Sequence, residues 1–209
     1  MTGRTEGDPR SRGAPALWRI DGFDEPLASG FFDRGTVTVA RALLGTRIVH
    51  RTPAGDRAAR IVETEAYVAG DPANHAYAGP TPRNRSMFGR PGTLYVYRIH
   101  QVHCANAVTR PGEAVLIRAA AGVSPGLPNA SGPGRLCRAL ELDRRHDGYA
   151  LDRDLVRFLP RTGPVGPVVR ARRVGISRAV ERPLRFALRD DRAVSAPRPW
   201  RRVTSASPS

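Results

Sequence analysis

Apolar positions along the chain group into short segments whose period changes from one to the next. Around Ser29-Gly-Phe-Phe-Asp and Val39-Ala-Arg-Ala-Leu-Leu-Gly45 they recur at helical spacing, and the run stops on a glycine, a frequent residue at helix C-termini. Arg47-Ile-Val-His-Arg51 and Ala59-Arg-Ile-Val-Glu-Thr-Glu-Ala-Tyr67 flank a turn at Pro53-Ala-Gly-Asp56 and predict a hairpin. A second strand pair is predicted at Gly92-Thr-Leu-Tyr-Val-Tyr-Arg-Ile99 and Ala114-Val-Leu-Ile-Arg-Ala119. Between the two pairs, Thr81 as N-cap and Pro82 as first helical residue announce a short helix over 81–88. Further on, 134–142 predicts a compact helix, 151–159 another short one, and 171–176 and 183–188 two late strands. No internal repeat is present. Strands and helices intermix without regular βα alternation, which predicts an α+β single domain on a curved, largely antiparallel β-sheet with peripheral helices.

The 209 residues favour one domain. Residues 1–26, rich in Gly, Pro and Arg, read as a flexible leader, 27–194 as the working domain, and 195–209 as a flexible basic tail. No stretch approaches the roughly 18 apolar residues of a membrane span, and Met1 to Ala14 holds no apolar core of a secretory signal. The two cysteines, Cys104 and Cys137, are too few for a disulfide scaffold or a four-cysteine zinc site and read as small apolar core residues. A reducing, cytoplasmic location follows, nucleoid-associated if the source is prokaryotic, with no membrane partner and nothing that requires more than a monomer.

Charge sharpens the picture. The chain carries 34 basic residues against 19 acidic ones, a net charge of +15, and contains no lysine, so every basic residue is arginine. GC-rich coding bias is the plain reading of that choice, but the chemistry holds whatever its origin. Guanidinium stays protonated and grips phosphate in a bidentate fork, which suits a polyanion, and lysine Schiff-base chemistry is removed.

Glu63, Glu65 and Tyr67 alternate along one strand and share a face, with Val62, Thr64 and Ala66 on the other. Two readings fit: a solvated face salt-bridged to arginines, or a carboxylate facing a cleft as general base toward water. His75, in the loop Asp71-Pro-Ala-Asn-His-Ala-Tyr77, is either solvated or one wall of a pocket for a flat ligand. Tyr95 and Tyr97 share a strand face with Ile99, so core packing competes with base stacking for both. Arg118 interrupts an apolar strand and needs an anionic partner, for which Glu65 is the obvious candidate. No metal-ligand spacing is present, which leaves metal chemistry poorly supported, and the absence of a Gly-rich phosphate loop or G-x-S-x-G elbow removes the usual nucleotide and serine-hydrolase signatures.

Taken together, Ala40-Arg-Ala-Leu-Leu-Gly45, Ile61-Val-Glu-Thr-Glu-Ala-Tyr67, Thr81-Pro-Arg-Asn-Arg-Ser-Met-Phe88, Pro91-Gly-Thr-Leu-Tyr-Val-Tyr97, Val115-Leu-Ile-Arg-Ala119, Gly132-Pro-Gly-Arg-Leu-Cys-Arg-Ala-Leu140, Arg173-Val-Gly-Ile176 and Arg182-Pro-Leu-Arg-Phe186 resemble the alkyladenine (3-methyladenine) DNA glycosylase family. The resemblance runs in order from about Ser29 to about Leu188. It implies a cofactor-free, base-excision repair enzyme that flips alkylated or deaminated purines out of duplex DNA and hydrolyses the N-glycosidic bond. Carried over residue by residue, it makes Glu65 the base that activates water and Arg118 its helper in placing that water. Tyr67, His75 and Tyr97 become the slot for the flipped base, and Asn106 the residue that disfavours a guanine amino group. The candidate substrates are 3-methyladenine, 7-methylguanine, hypoxanthine and ethenoadenine. Absence of lysine adds that water, not an amine, is the nucleophile, and hence that the enzyme is monofunctional.

One stretch departs from the family pattern. Where a tyrosine followed by glycine is usual on the hairpin that wedges into the minor groove, this chain reads Ile99-His-Gln-Val-His-Cys104, one residue shorter, which puts His100 at the intercalating position. A non-catalytic, basic DNA-binding or damage-recognition protein is the alternative reading.

Overall fold

The computed structural model describes residues 25–198; the leader apart from its last two residues, and the tail beyond 198, lie outside the described residues. Two short helices, α1 (Ser29–Phe32) and α2 (Thr36–Ala42), lead into the hairpin β1 (Arg47–Thr52) and β2 (Gly55–Tyr67). A long loop ending in a 3-10 turn at Arg85–Phe88 precedes three antiparallel strands, β3 (Leu94–Ile99), β4 (Val102–Arg110) and β5 (Glu113–Gly122). The short strand β6 (Ala130–Ser131), helix α3 (Pro133–Ala139), and strands β7 (Val156–Leu159), β8 (Val168–Ala171) and β9 (Arg185–Leu188) complete the described chain. All strands join one curled, antiparallel sheet in the order β3-β4-β5-β2-β1-β7, with β6 on β5 and the β8-β9 pair on β2.

Strand β2 organises the molecule. Its first half pairs with β1 and its second half with β9 along one edge, while β5 runs along the other. The β2-β5 register slips twice: Ala120 faces Ile61, Ala119 faces Glu63 and Ile117 faces Thr64, so Val62 and Arg118 are each an extra residue on their own strand. Bulges of this kind re-aim side chains next to functional sites, and this one turns Arg118 toward the acidic face of β2.

The other face of β2 is core. Ile61, Val62 and Ala66 pack against Val39, Ala40, Leu43 and Leu44 of α2 and its following turn, and the Thr64 hydroxyl donates to the Ala40 carbonyl at 2.8 Å. Gly45 leaves the helix with φ +86°, and a Cβ there would lie 2.1 Å from Val165 Cγ1, so glycine is required on both counts. Helix α3 lies so close to β4 that a Cβ on Gly134 would come within 2.8 Å of Val102 Cβ.

Several elements differ from the sequence reading. The segment expected as a helix over 151–159 ends instead in strand β7: Leu151, Leu155 and Leu159 recur every four residues, but Ile48 and Val49 of β1 offer a ladder to Phe158 and Arg157 that helical spacing does not reveal. The expected helix over 81–88 shrinks to the 3-10 turn, and the segment before it is tied by Asn84: its Oδ1 accepts from the Thr81 N–H and hydroxyl, and its amide donates to the His75 and Gly79 carbonyls. The late strand expected over 171–176 lies earlier, at 168–171, which frees Arg173 and Val174 to turn toward β2. Strand β4 lies between β3 and β5, so the expected direct pair of 92–99 with 114–119 does not form and each pairs with β4 instead. Among the described residues no helix is long and apolar enough to cross a membrane.

Candidate active site

The acidic face of β2 is not solvated: Glu63 and Glu65 are both 0% exposed, covered by the chain around Arg173–Val174 and around Ser195. Glu65 Oε1 accepts from the Val174 N–H at 2.9 Å and lies 3.5 Å from Arg118 Nη1, and Oε2 accepts from the Tyr67 hydroxyl at 3.0 Å. Burial raises the Glu65 carboxyl pKa above its ordinary value, opposed by Arg118, the Val174 N–H and the Tyr67 hydroxyl. A buried carboxylate with a raised pKa is a stronger base than a free one. Tyr67 is itself held protonated by burial and by the Glu65 carboxylate, so it donates to Glu65 and does not compete for its proton.

Above this pair opens a cleft of about 510 Å³, walled by Tyr67, His75, Tyr97, Ile99, Arg118 and Val174 among others. The His75 and Tyr97 rings meet edge to face with centroids 4.4 Å apart, and His75 Nδ1 is 3.2 Å from the Tyr95 hydroxyl. Burial lowers the His75 pKa, which keeps the ring neutral at pH 7. Beyond this aromatic wall lies a second cleft of about 770 Å³, which shares His75, Tyr97, Ile99 and His100 and adds Arg83, Arg98 and Arg144. The tip of the β3-β4 hairpin stands between the two clefts. His100 and Gln101 form its two-residue turn with φ +43° and +69°, the left-handed pair that a tight type I′ hairpin demands.

An aromatic cleft beside a buried base, flanked by arginine, suits a flat base attached to a polyanion. The sequence profile described as Methylpurine-DNA glycosylase (MPG) matches residues 30–192. A protein of Anaeromyxobacter dehalogenans is 48% identical over 182 residues, covering 83% of this chain and 88% of its own. One from Methanoculleus marisnigri is 45% identical over 189 residues, covering 81% and 98% respectively, and one from Rhizobium etli is 43% identical over 180 residues, covering 80% and 87%. Each of the three carries the name "Putative 3-methyladenine DNA glycosylase". The chain belongs to the methylpurine-DNA glycosylase family. It is, accordingly, a DNA glycosylase of DNA repair.

In this methylpurine-DNA glycosylase the structure brings Glu65, Tyr67, His75, Tyr97 and Arg118 to one place and sets His100 at the cleft's outer edge. Asn106 is buried on β4 opposite Leu116, which lines the cleft and pairs with Glu65 on its other side, and its amide donates to the Tyr95 carbonyl at 3.0 Å and the Cys104 carbonyl at 3.4 Å. Tyr95 is buried in a small cluster with Met87, Val108 and Ala114 and lines only the second cleft, while Tyr97, partly buried against the same cluster, lines both. Arg118 has a nearer partner than the one expected, Glu63 at 3.2 Å.

The sequence reading missed four further residues. Arg173 and Asp71 form a buried ion pair at 2.5 Å, and the Arg173 guanidinium sits 4.7 Å above the Tyr67 ring, closing that wall from behind. Arg185 and Ser195 hold Glu63. Ser195, read from sequence as the first residue of a tail, is 3% exposed. The alternation of Glu63 with Glu65 was the one signal pointing to this network; Asp71 follows in the next loop, but Arg173, Arg185 and Ser195 stand more than 100 positions away.

Proposed function

We propose that the protein flips damaged purines of the alkylated or deaminated kind, 3-methyladenine, 7-methylguanine, hypoxanthine and ethenoadenine, into the 510 Å³ cleft and hydrolyses their N-glycosidic bond with water. The observation that carries this reading is Glu65: a fully buried carboxylate, bonded to Tyr67 and facing Arg118, directly under an aromatic-walled cleft. The flipped base stacks between Tyr67, His75 and Tyr97, whose faces favour a cationic methylated purine. Water then lies where Glu65 Oε1, Arg118 Nη1 and the Val174 backbone converge. Its oxygen bonds to C1′ of the sugar as the C1′–N bond breaks, the bonding pair leaves with the purine, and Glu65 takes the water's proton. An abasic site with a C1′ hydroxyl results; a cationic methylated purine departs as the neutral base, and hypoxanthine or ethenoadenine departs as an anion that takes a proton from solvent water. No lysine is present to trap the sugar as a Schiff base, so the enzyme is monofunctional.

The test is single-turnover excision from duplexes carrying each lesion. Expected are alkali-dependent breaks, with no cleavage before alkali and no borohydride-trapped adduct. Tight binding without release of any base reduces the protein to damage recognition.

We further propose that His100 fills the gap left by the flipped nucleotide. His100→Ala is expected to weaken binding of lesion duplex by about tenfold, in line with roughly 1–3 kcal/mol for an aromatic ring stacked on a base; fluorescence anisotropy measures it, and native affinity with native excision rejects the role. The second cleft suits backbone phosphate, since its Arg83 is exposed and makes no hydrogen bond or ion pair among the described residues. Arg83→Ala should reduce the slope of log affinity against log salt by about 1, a change read directly from titrations at several salt concentrations.

A further inference from the structure

The mechanism above uses Glu65 and Arg118 but leaves Glu63 without a role, although Glu63 is fully buried and is Arg118's closest carboxylate. Arg118 is held along one edge: its Nε lies 3.2 Å from Glu63 Oε1 and donates to Ser195 Oγ at 3.1 Å. Only Nη1 is turned toward Glu65 Oε1, at 3.5 Å, and it also donates to the Val174 carbonyl at 3.4 Å. The anchor itself is clamped. Arg185 Nε donates to Glu63 Oε1 at 2.5 Å, the Ser195 N–H donates to Glu63 Oε2 at 2.8 Å, and Arg185 Nη2 donates to the Ser195 carbonyl at 3.0 Å. Glu63, Arg185 and Ser195 are all buried, and the two carboxylates and two guanidiniums of the cluster cancel in charge.

A guanidinium free to move beside a single buried carboxylate closes on it in a fork, two N–H donors on two oxygens. Such a pair is a poor base. We propose that Glu63, locked by Arg185 and Ser195, is a positioning residue that holds Arg118 back from a full ion pair with Glu65 and so keeps Glu65 basic and one edge of Arg118 directed at the reacting water. The inference rests on the proposed roles of Glu65 and Arg118. The groups that face Glu65 are Glu63 and Tyr67 on β2, Cys104 on β4, Arg118 on β5, Arg185 opposite it on β9, and the Val174 N–H, with Arg173 behind Tyr67. Of these, Glu63 is the one other carboxylate, and neutralising it acts twice in the same direction. A like charge disappears, and Arg118 is released toward Glu65.

The experiment titrates the Glu65 side-chain carboxyl by carbon NMR in the full chain, its resonance assigned by its loss in Glu65→Gln. In Glu63→Gln, which keeps the volume, the Glu65 midpoint is expected to fall by about one pH unit, as for a carboxylate gaining an arginine partner. The single-turnover excision plateau should fall about 100-fold, the effect of misplacing a reacting group by an ångström, with lesion-duplex binding kept. A midpoint that stays in place or rises overturns the proposal, and so does a fall in Glu63→Gln beside a native midpoint in Ser195→Ala, because loss of the like charge alone accounts for the first. Should Glu63→Gln not fold, Ser195→Ala removes only the hydroxyl that receives Arg118 Nε and is expected to shift the midpoint the same way by less; a native midpoint there overturns the proposal equally. A native protein that excises no lesion defeats the proposed function, while the titration still decides whether Glu63 restrains Arg118.

Discussion

Glu65→Gln is expected to slow base excision by about 100- to 10,000-fold, the range for removing a general base, while binding to lesion duplex persists. The substitution keeps the shape of the side chain and an oxygen for the Val174 N–H, so the cleft stays built and only the proton acceptor is lost. Single-turnover excision paired with binding to the same duplex measures both. A rate within tenfold of native would mean that water is activated by some other group. The native rate should itself fall on acidification, with a midpoint above the ordinary value of about 4.3 for a glutamic acid, because burial raises the Glu65 pKa. The sign also has a cost for the fold. A carboxyl whose pKa is raised by folding binds its proton more tightly in the native state, so it destabilises the protein once pH exceeds the folded value. Glu65→Gln escapes that cost, and its thermal midpoint at pH 7 is expected to equal or exceed the native one.

Asp71→Asn should instead cost stability, about 3–5 kcal/mol, the penalty for leaving a buried charge without its partner. Both side chains of the Asp71–Arg173 pair are wholly buried, and Arg173 Nε and Nη2 have no hydrogen-bond partner in the described structure, so Asp71 is what balances that charge. For a domain of this size the midpoint of thermal unfolding falls by roughly 6–20 °C. The effect is pH-dependent. Burial opposes ionisation of Asp71, but the Arg173 hydrogen bond and the Ala73 N–H outweigh it and hold the carboxyl below its ordinary value. A depressed carboxyl contributes stability that is fully present above the unfolded value of about 3.9 and is lost as pH falls through the folded one. Urea unfolding at pH 7 and again below pH 4 should therefore show the gap between native and Asp71→Asn narrowing in acid; an equal gap at both would place the stabilisation elsewhere. Because Arg173 also backs Tyr67 and donates to the Ala66 carbonyl at 3.1 Å, the variant is expected to lose excision as well.

The α+β class and strand β2 with its acidic face could be read from sequence because period-two alternation survives any tertiary context, and Glu65, Tyr67, His75, Tyr97 and Arg118 do meet. Burial of that face could not be read, since it depends on Ser195 and Val174 arriving from distant segments. Strand β4 escaped notice because His103, Asn106 and Thr109 interrupt its apolar run, and its hairpin turn is His-Gln in place of the glycine-containing pairs that announce a type I′ turn. Ser195 sits in a Pro-, Ser- and Arg-rich stretch with the composition of a tail; what roots it is Arg185 and Glu63, which no local pattern records. The shared face of Glu63 and Glu65 was plain, but which of them Arg118 approaches more closely depends on the double bulge, a feature of pairing between strands more than 50 residues apart.

That bulged strand has a dynamic consequence. With β5 on one edge and β1 and β9 sharing the other, β2 cannot detach without disrupting three partners, so its amides around Glu63–Ala66 are expected to exchange only through global opening. Hydrogen exchange is expected to find the carboxylate's strand slow and the hairpin tip at His100, which lies at the end of β3 and β4, fast. Adaptation to a lesion of a different shape is left to the wall and the tip, with the proton acceptor fixed.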